Sequence, residues 1–270
     1  MENKRKGYRK GFNRPDDRHR EVREPDENIV IGRNAVKELL TSERDVEKVF
    51  LASGDREGSV NVIVAIARER GIPIVECDRT KLDALSAGGK HQGVVAVAAE
   101  RNYSSIEEMI SLAEERGEPP FIVVCDGIED PHNLGAIIRS AECSGAHGII
   151  IPKRRAVGLT ATVGKASAGA LEHVLIAKVT NLPSAIDRLK ELGVWTYAAD
   201  MDGKAYFETD MRGSAALVLG SEGFGVSRLV KEKCDFVVSI PMYGNVNSMN
   251  VSCAAAVLLT EMARQRNEGK

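Results

Sequence analysis

The carboxyl-terminal half of the chain alternates short apolar runs with segments of helical periodicity, and this alternation restricts the fold more than any other feature. The run FIVVCDGI, which begins at residue 121, has no polar alternation, as is typical of a strand buried on both faces of a parallel sheet. Further patterns predict strands over 148–152, 174–179, 194–200, 215–220 and 235–241, and helices over 133–144, 183–192, 225–233 and 248–266. Residues 121–270 are therefore predicted to form an α/β domain with a mostly parallel sheet.

A smaller α/β domain is predicted over residues 29–100. Its patterns indicate strands over 46–52, 72–78 and 93–100, and helices over 59–71 and 80–87. The following segment, 101–120, has helical spacing that ends at Gly117 and a proline pair. We interpret this segment as a linker helix and place the domain boundary near residue 119.

The first residues are basic and carry almost no apolar side chains. Residues 1–14 contain six Lys or Arg residues and one acidic residue, Glu2. Such a segment buries too little apolar surface to offset the entropy of ordering it, so a disordered basic tail is predicted over residues 1–28. Because the net charge of the chain is only −2, any binding of nucleic acid must rest on local patches. A tail that merely improves solubility is the alternative.

The composition excludes several classes of protein. No apolar run approaches the ~20 residues that cross a bilayer, and the N-terminus lacks the apolar core of a signal peptide, so we expect a cytoplasmic protein. The five cysteines are odd in number, lack Cys-x-x-Cys spacing and mostly lie in apolar runs, which predicts reduced, buried thiols. The five histidines never pair at ligand spacing, so we expect no structural metal.

Three polar loops follow predicted strands and lead into helices, and ligands of parallel sheets bind at this edge. In the first loop, EDPHNLGAIIRSAE, Asp130 or Asn133 can cap the next helix and Pro131 suits its first turn. Arg139 lies four residues after Gly135 and is expected to reach back over the glycine toward Asn133. This predicts a phosphate site at the helix start. A helix cap with a surface arginine is the alternative.

The second loop, SEGFGVSRL, combines glycines with an acidic residue. Glycines at 220, 223 and 225 give the order G-x-x-G-x-G, which differs from the dinucleotide-binding fingerprint. Glu222 lies within the turn, where its charge would repel a pyrophosphate. The loop therefore suits a neutral or cationic ligand, and a tight turn with a solvated glutamate is the alternative.

The third loop, MYGNVNSMN, precedes the last helix. Ser248 is placed to cap that helix, whose apolar stripe follows helical spacing from Val251. Capping does not explain Asn245, Asn247 and Asn250, because asparagine is a mediocre helix former. The small residues at 254–256 would allow close approach of another helix, as at a subunit interface.

Together, these three loops resemble the three signature motifs of the SpoU or TrmH family of RNA ribose 2′-O-methyltransferases. The matching segments are DPHNLGAIIRSAE, VLGSEGFGVS and IPMYGNVNSMNVSCAAAV, in that order. The N-terminal segments IGRNAVKELL and GKHQGVVA resemble the small substrate-binding domain of members that act on ribosomal RNA. The resemblance implies S-adenosylmethionine (AdoMet) as methyl donor, a trefoil knot in the C-terminal domain and a homodimer.

The resemblance also implies site residues, which are named here by matching position. The implied catalytic residues are Asn133, Arg139, Glu222, Ser248 and Asn250. The implied cofactor-binding residues are Leu219, Gly220, Ile240, Met242 and Met249. Because a guanidinium stays protonated at any ordinary pH, we expect Arg139 to clamp a phosphate rather than act as a base.

The implied function is methyl transfer from AdoMet to the ribose 2′-OH of a guanosine in large-subunit ribosomal RNA. A methyltransferase that acts on transfer RNA is the alternative within the family. A non-catalytic RNA-binding factor of ribosome assembly is the alternative from a different class. An ordinary nucleotide-binding α/β enzyme is disfavoured by the glycine order and by Glu222.

Overall fold

The computed structural model describes residues 28–42, 44–54, 58–99 and 102–268, which form two α/β domains. The predicted basic tail over residues 1–28 lies outside the described residues, apart from Asn28. Within the described ranges, no helix combines the length and the apolar character needed to span a membrane.

The small domain is a four-stranded sheet with three helices. Its elements are β1 (Ile29–Ile31), α1 (Arg33–Thr41), β2 (Val46–Ala52), α2 (Ser59–Glu69), β3 (Ile74–Cys77), α3 (Arg79–Leu85) and β4 (Val94–Ala98). The strand order is β1-β4-β2-β3, in which only the β2–β3 pair is parallel. The predicted strands and helices from residue 46 onward are confirmed, whereas β1 and α1 were not predicted.

The predicted linker segment contains a helix, α4 (Ile106–Glu115), that packs into the large domain. Ser105 and Glu108 form a capping box at its start, each side chain accepting a hydrogen bond from the other's backbone N–H. Its buried Met109 belongs to the same apolar cluster as Ile122 of the next strand. A Cβ atom at Gly148 would lie only 2.3 Å from the Met109 sulfur, so the helix sits directly on the sheet.

The large domain is built on a six-stranded parallel sheet, as predicted. Its elements are β5 (Phe121–Asp126), α5 (Pro131–Cys143), β6 (Gly148–Pro152), α6 (Ala161–Ala166), β7 (Leu175–Val179), α7 (Leu182–Glu191), β8 (Trp195–Ala205), β9 (Ala215–Gly220), α8 (Arg228–Lys233), β10 (Phe236–Ser239) and α9 (Val251–Asn267). The strand order is β10-β8-β9-β5-β6-β7, and every neighbouring pair is parallel. Helices α5 and α9 cover one face, and α4, α7 and α8 cover the other.

Strand β8 extends five residues past its predicted end at residue 200. Its partner β10 changes register between Val237 and Val238, so that Phe236 pairs with Tyr197 while Val238 pairs with Lys204. After β10 the chain returns to the centre of the sheet, where α9 packs against α5 and β9. The knotted path implied by the resemblance needs such a return; the threading itself stays a prediction.

Ion pairs contribute to the contact between the two domains. Arg44 of the small domain lies 3.5 Å from Glu172 in a partly buried ion pair, and Glu38 lies 3.1 Å from His173. Gly169 has φ +99°, and a Cβ atom there would lie 2.3 Å from Cγ of Glu38. A glycine is therefore required where α1 meets the large domain.

The prediction of buried thiols is wrong for two of the five cysteines. All five are free thiols, and Cys125 is buried, but Cys143 and Cys253 are exposed. Both exposed residues lie on helices whose buried stripes pass beside them, which a run of apolar neighbours in the sequence does not reveal. In the described part of the chain, no group of three or more His, Cys, Asp or Glu residues could hold a metal ion.

Candidate active site

A cavity of about 640 Å³ opens at the carboxyl ends of β9 and β10 and beside residues 199–201 of β8. All five predicted cofactor residues line it, namely Leu219, Gly220, Ile240, Met242 and Met249. Glu222, Ser248 and Asn250 line the same cavity. The volume lies within the range of small-molecule sites, and most of the walls are apolar with a few polar groups between them. The structure thus brings together eight of the ten predicted site residues in one cavity.

Three of the predicted catalytic side chains are joined by hydrogen bonds. Asn133 Nδ2 donates to Glu222 Oε1 at 3.0 Å, and Asn250 Nδ2 donates both to Asn133 Oδ1 at 3.0 Å and to the same Glu222 oxygen. This triad, Asn133–Glu222–Asn250, connects segments that are up to 117 residues apart in sequence. The second carboxylate oxygen of Glu222 accepts no hydrogen bond from the described residues, so it can accept one from a ligand.

Asn133 is held near the capped start of α5, and Glu222 is held in a tight turn after β9. Asp130 caps α5 by accepting a hydrogen bond from the His132 N–H at 2.7 Å, which confirms one of the two predicted caps and leaves Asn133 free for the triad. Glu222 lies in a tight turn closed by backbone hydrogen bonds between Ser221 and Gly225, at 3.1 and 3.0 Å.

Gly220 allows this turn to fold back onto the strand. A Cβ atom at Gly220 would lie 1.9 Å from the backbone carbon of Gly225 and 2.1 Å from the nitrogen of Val226. Contacts this short are impossible for any side chain, so the position requires glycine. The same close packing sets the height of Glu222 above the end of β9.

The cap of the last helix differs from the prediction. Helix α9 begins at Val251, and its cap is Asn250, whose Oδ1 accepts hydrogen bonds from the N–H groups of Ser252 at 2.9 Å and Cys253 at 3.4 Å. Ser248, the predicted cap, lies two residues earlier, exposed at the cavity. Asn250 is the better cap because its Oδ1 accepts hydrogen bonds from helix N–H groups while its Nδ2 donates hydrogen bonds to Asn133 and Glu222.

The predicted position of Arg139 is wrong in one respect. The face of α5 that carries Gly135 is covered by α6, since a Cβ atom at Gly135 would lie 2.4 Å from Cβ of Ala166. Arg139 therefore does not reach back over Gly135 to Asn133. Six residues separate Arg139 from Asn133, which places their side chains about 120° apart around the helix. Arg139 is exposed and makes no hydrogen bond or ion pair with the part of the chain that the structure describes.

Two family models match the chain over the regions that form the two domains. Residues 120–260 match the SpoU rRNA methylase family, and residues 29–104 match a domain described as RNA 2′-O ribose methyltransferase substrate binding. The chain belongs to the SpoU rRNA methylase family. YacO of Bacillus subtilis (strain 168), assigned by its name to the TrmH family of tRNA/rRNA methyltransferases, is 48% identical over 241 residues, covering 89% of this chain and 96% of YacO.

Two solved structures share the fold of this SpoU-family chain. The SpoU methyltransferase AviRb from Streptomyces viridochromogenes, solved in complex with AdoMet, aligns with a TM-score of 0.74 and 24% identity over 89% of this chain and 91% of AviRb. A structure of an RNA 2′-O ribose methyltransferase aligns with a TM-score of 0.72 and 24% identity over 88% of each chain. At this identity the two likenesses establish the fold.

A second cavity, of about 570 Å³, adjoins the first in this SpoU-family site. Glu222 lines both cavities, whereas Asn133 lines only the second and Asn250 only the first. The triad therefore stands on the wall between them. Two ligands, one in each cavity, can therefore meet at Glu222.

Several lining residues escaped the sequence analysis. Asp200, the last residue of the predicted strand, and Met201, the next residue, line the first cavity, and Phe224, which is 93% exposed, lines both cavities. A signal for Phe224 was present, since a large apolar residue between two glycines of a polar loop has no core to enter. Asp200 also had a signal, because it is a charged residue at the carboxyl end of a predicted strand.

The described lining of the first cavity carries acidic side chains and no Lys or Arg. Its charged residues are Asp200 and Glu222, and Asp200 is paired with Lys231 at 3.0 Å, so Glu222 is the lining carboxylate without an ion pair to the described residues. This agrees with the expectation that the second loop suits a neutral or cationic ligand.

Proposed function

We propose that this chain transfers a methyl group from AdoMet to the ribose 2′-OH of one guanosine in large-subunit ribosomal RNA. The triad carries the proposal, because it places a carboxylate oxygen on the wall between two cavities that each fit a small ligand. The first cavity would hold the methyl donor and the second the acceptor. Membership of the SpoU family supports methyl transfer, and the match of residues 29–104 supports RNA as the substrate.

The residues of the first cavity fit AdoMet. Leu219, Ile240 and Met242 give apolar walls for an adenosine, and the strand ends between them present backbone N–H and C=O groups. The carboxylate of Glu222, which makes no ion pair with the described residues, suits the positive charge of a sulfonium. When bound, AdoMet supplies an activated methyl group, so the chain itself needs mainly to align the acceptor oxygen and exclude water.

Glu222 is the group that we assign to the acceptor hydroxyl. Its Oε1 is held by the amides of Asn133 and Asn250, which fixes the carboxylate and leaves Oε2 to accept the hydroxyl proton as the new bond to oxygen forms. Ser248, exposed at the same cavity, is assigned to hydrogen bonding with the ribose or the donor. A phosphate or water is the alternative proton acceptor.

We assign Arg139 to a phosphate contact in a homodimer. Its side chain is exposed and lines neither of the two cavities, so we assign it to the site of a second copy of the chain. The small residues of α9 at 254–256, which are partly exposed or buried, suit close approach of such a copy. Gel filtration with light scattering tests the dimer.

The choice of ribosomal over transfer RNA rests on the small domain. YacO carries both RNA classes in its name, so the similarity does not separate them. A domain of about seventy residues that matches a substrate-binding model gives the enzyme a second surface for a large, folded RNA. A ribosome-assembly reaction also implies the cytoplasm, which we expect here.

One experiment tests the activity and its target together. Total RNA from a strain lacking this protein is incubated with the pure protein and isotope-labelled AdoMet, and 2′-O-methyl sites are mapped. We expect one new site in large-subunit ribosomal RNA. A methylated site in transfer RNA would show that transfer RNA is the substrate. If no methyl group is incorporated and calorimetry detects no heat of AdoMet binding, the non-catalytic RNA-binding factor is favoured.

The variant Glu222→Gln sharpens the test. It keeps an oxygen that can accept the two amide hydrogen bonds but removes the charge. We expect kcat to fall by about 10²-fold or more, as for loss of a general base, with AdoMet affinity changed only severalfold. A variant with kcat near wild type would exclude Glu222 as the proton acceptor.

A further inference from the structure

The second cavity contains two charged side chains without partners. Arg155 and Glu129 both line it, both are exposed, and neither makes a hydrogen bond or ion pair with the residues that the structure describes. The other carboxylates of the lining are engaged. Asp126 accepts a hydrogen bond from the Ser227 N–H at 2.8 Å, and Asp130 caps α5.

Arg155 is held at the cavity by its backbone. It has φ +57°, a left-handed conformation that is unfavourable for a residue with a side chain. Two residues later, the Val157 N–H donates to the Ile128 carbonyl at 3.0 Å, which ties this segment to the loop after β5. The carbonyl oxygen of Arg155 would lie 3.8 Å from a Cβ atom at Gly127. The loop is thus fixed against the cavity wall rather than extended into solvent.

The charges of the cavity indicate what Arg155 can bind. Four carboxylates line the cavity, namely Asp126, Glu129, Asp130 and Glu222, and Arg155 is the one cation among the described lining residues. These carboxylates would repel a phosphate everywhere except beside Arg155. An arginine fork binds a phosphate with two parallel hydrogen bonds, so it fixes both position and orientation.

We propose that the second cavity holds the acceptor nucleotide, with Arg155 bound to the phosphate next to the reacting ribose and Glu129 bound to N–H donors of its base. The inference rests on the proposed function and deepens it, because it names the residues that position the nucleotide against Glu222. Asn133 and Glu222 lie in the wall of the same cavity, on the side where the ribose would sit.

Glu129 adds a preference for one base. A carboxylate has two oxygens that only accept hydrogen bonds, and proteins read unstacked RNA bases on their Watson–Crick edges. Guanine presents N–H donors at two adjacent positions of that edge, so both oxygens can be used. The other three bases offer a donor at one position only. Glu129 therefore favours guanine.

The phosphate contact is tested by RNA binding. We measure the dissociation constant of an unmodified transcript of large-subunit ribosomal RNA at several salt concentrations, with AdoMet present, for wild type, Arg155→Ala and Arg155→Lys. Arg155→Ala should bind about tenfold more weakly, and the slope of log K against log salt should shrink by about 0.7–0.9, the value for one phosphate contact. Arg155→Lys should restore the slope but only part of the affinity, because a point charge does not replace the fork.

A neighbouring residue supplies the matched control. Arg154 is also exposed but does not line the cavity, so Arg154→Ala should keep the wild-type affinity, salt slope and methylation rate. AdoMet affinity should be unchanged in every variant, which excludes misfolding. If Arg155→Ala keeps the wild-type slope while wild type methylates the transcript, this inference is wrong and the proposed function stands. If wild type methylates no RNA, both are wrong.

The base contact is tested by removing one donor from the acceptor. Inosine lacks the exocyclic amino group of guanosine and is otherwise the same base. An RNA with inosine at the mapped acceptor should be methylated about tenfold more slowly by wild type, as expected for one lost hydrogen bond to a charged group. Glu129→Gln should slow the guanosine reaction and reduce this difference. An unchanged guanosine-to-inosine ratio in Glu129→Gln would overturn the base contact.

Discussion

The two edges of the six-stranded sheet use polar side chains in opposite ways. At the amino-terminal edge, the buried Thr196 is engaged within the fold: it donates from N and Oγ1 to one oxygen of Asp235, at 2.9 and 2.8 Å, and accepts from the Asp235 N–H. At the carboxyl-terminal edge, Glu222, Glu129 and Arg155 are exposed and keep unused hydrogen-bonding capacity. The first arrangement stabilises a fold, and the second leaves groups available for a ligand.

Arg266 illustrates the amino-terminal edge further. Its guanidinium donates to the carbonyls of Gly213, Pro119 and Pro120 and lies 4.9 Å from the ring centre of Phe121. This one side chain ties α9 to the starts of β5 and β9. Substitutions at this edge should change stability, whereas those at the other edge should change activity.

The largest effect is expected for Gly220→Ala at the carboxyl-terminal edge. The added Cβ would lie 1.9 Å from Gly225, so the turn that carries Glu222 must move. We expect loss of AdoMet binding and of methyl transfer, with a fall in the free energy of unfolding of about 1–3 kcal/mol from overpacking. Calorimetric titration and denaturant unfolding measure the two effects.

Gly244→Ala is the control for this prediction. It lies in the third loop, and no heavy atom lies within 4 Å of its added Cβ. It should therefore retain AdoMet binding and stability. Normal AdoMet affinity in Gly220→Ala would show that the turn does not shape the cavity.

Asn250→Ser is expected to lower the activity while leaving the stability of the protein almost unchanged. Serine caps helices about as well as asparagine, so the free energy of unfolding should change by less than ~0.5 kcal/mol. Serine cannot supply the two amide hydrogen bonds to Glu222 and Asn133, so the carboxylate loses its fixed position. We expect kcat to fall by about 10²-fold, equivalent to ~2.7 kcal/mol. A fall in stability without a fall in kcat would assign Asn250 to capping alone.

For Thr196→Val at the amino-terminal edge, we expect the opposite result, a loss of stability without a loss of activity. Valine has the shape of threonine but removes the hydroxyl that donates to the Asp235 carboxylate, while the Asp235 N–H keeps its hydrogen bond to the Thr196 carbonyl. We expect the free energy of unfolding to fall by about 2 kcal/mol, typical of hydrogen bonds to charged groups, while kcat and AdoMet affinity stay at wild-type values. Thr196→Ser keeps the hydroxyl and should be nearly as stable as wild type. Loss of activity in folded Thr196→Val would contradict the division between the edges.

The sequence predicted the strands of the large domain well, because runs such as FIVVCDGI are apolar without interruption and end at polar loops. The weak points are elements whose limits depend on a distant partner. Strand β1 has three residues and exists because it pairs with β4. The end of β8 at Ala205 depends on its pairing with β10, whose register shifts at Val237, 32 residues later in the chain. Local periodicity carries neither fact.

The site shows the same limit. Ser248 and Asn250 are both suitable caps two residues apart, and the choice follows from the hydrogen bonds of Asn250 to Asn133 and Glu222. Arg139 and Gly135 do share a helix face, as the spacing predicts. That α6 covers this face at Gly135, one turn before the exposed Arg139, is a tertiary fact set by residues about thirty positions later.

The smallest expected effect is a pH dependence of stability at the amino-terminal edge, due to His147. This side chain is fully buried, its Nδ1 accepts a hydrogen bond from the Phe121 N–H at 3.0 Å, and its Nε2 lies 3.3 Å from Glu118. Burial lowers the pKa of His147 below its ordinary value, and the positive charges of Arg266 and Arg116 lower that pKa further.

Because the folded state keeps His147 neutral while the unfolded chain takes up a proton near pH 6.5, the unfolded state binds more protons below that pH. The stability from this residue is therefore complete above pH 6.5 and is lost as the pH falls through the lowered pKa. In His147→Asn, Oδ1 can accept the same hydrogen bond from Phe121 and nothing titrates. The free energy of unfolding, measured by denaturant at pH 7.5 and pH 5.5, should fall less in the variant than in wild type. Equal falls would show that protonation of His147 does not oppose folding, whereas a change in kcat at pH 7.5 would show that this edge also serves the reaction.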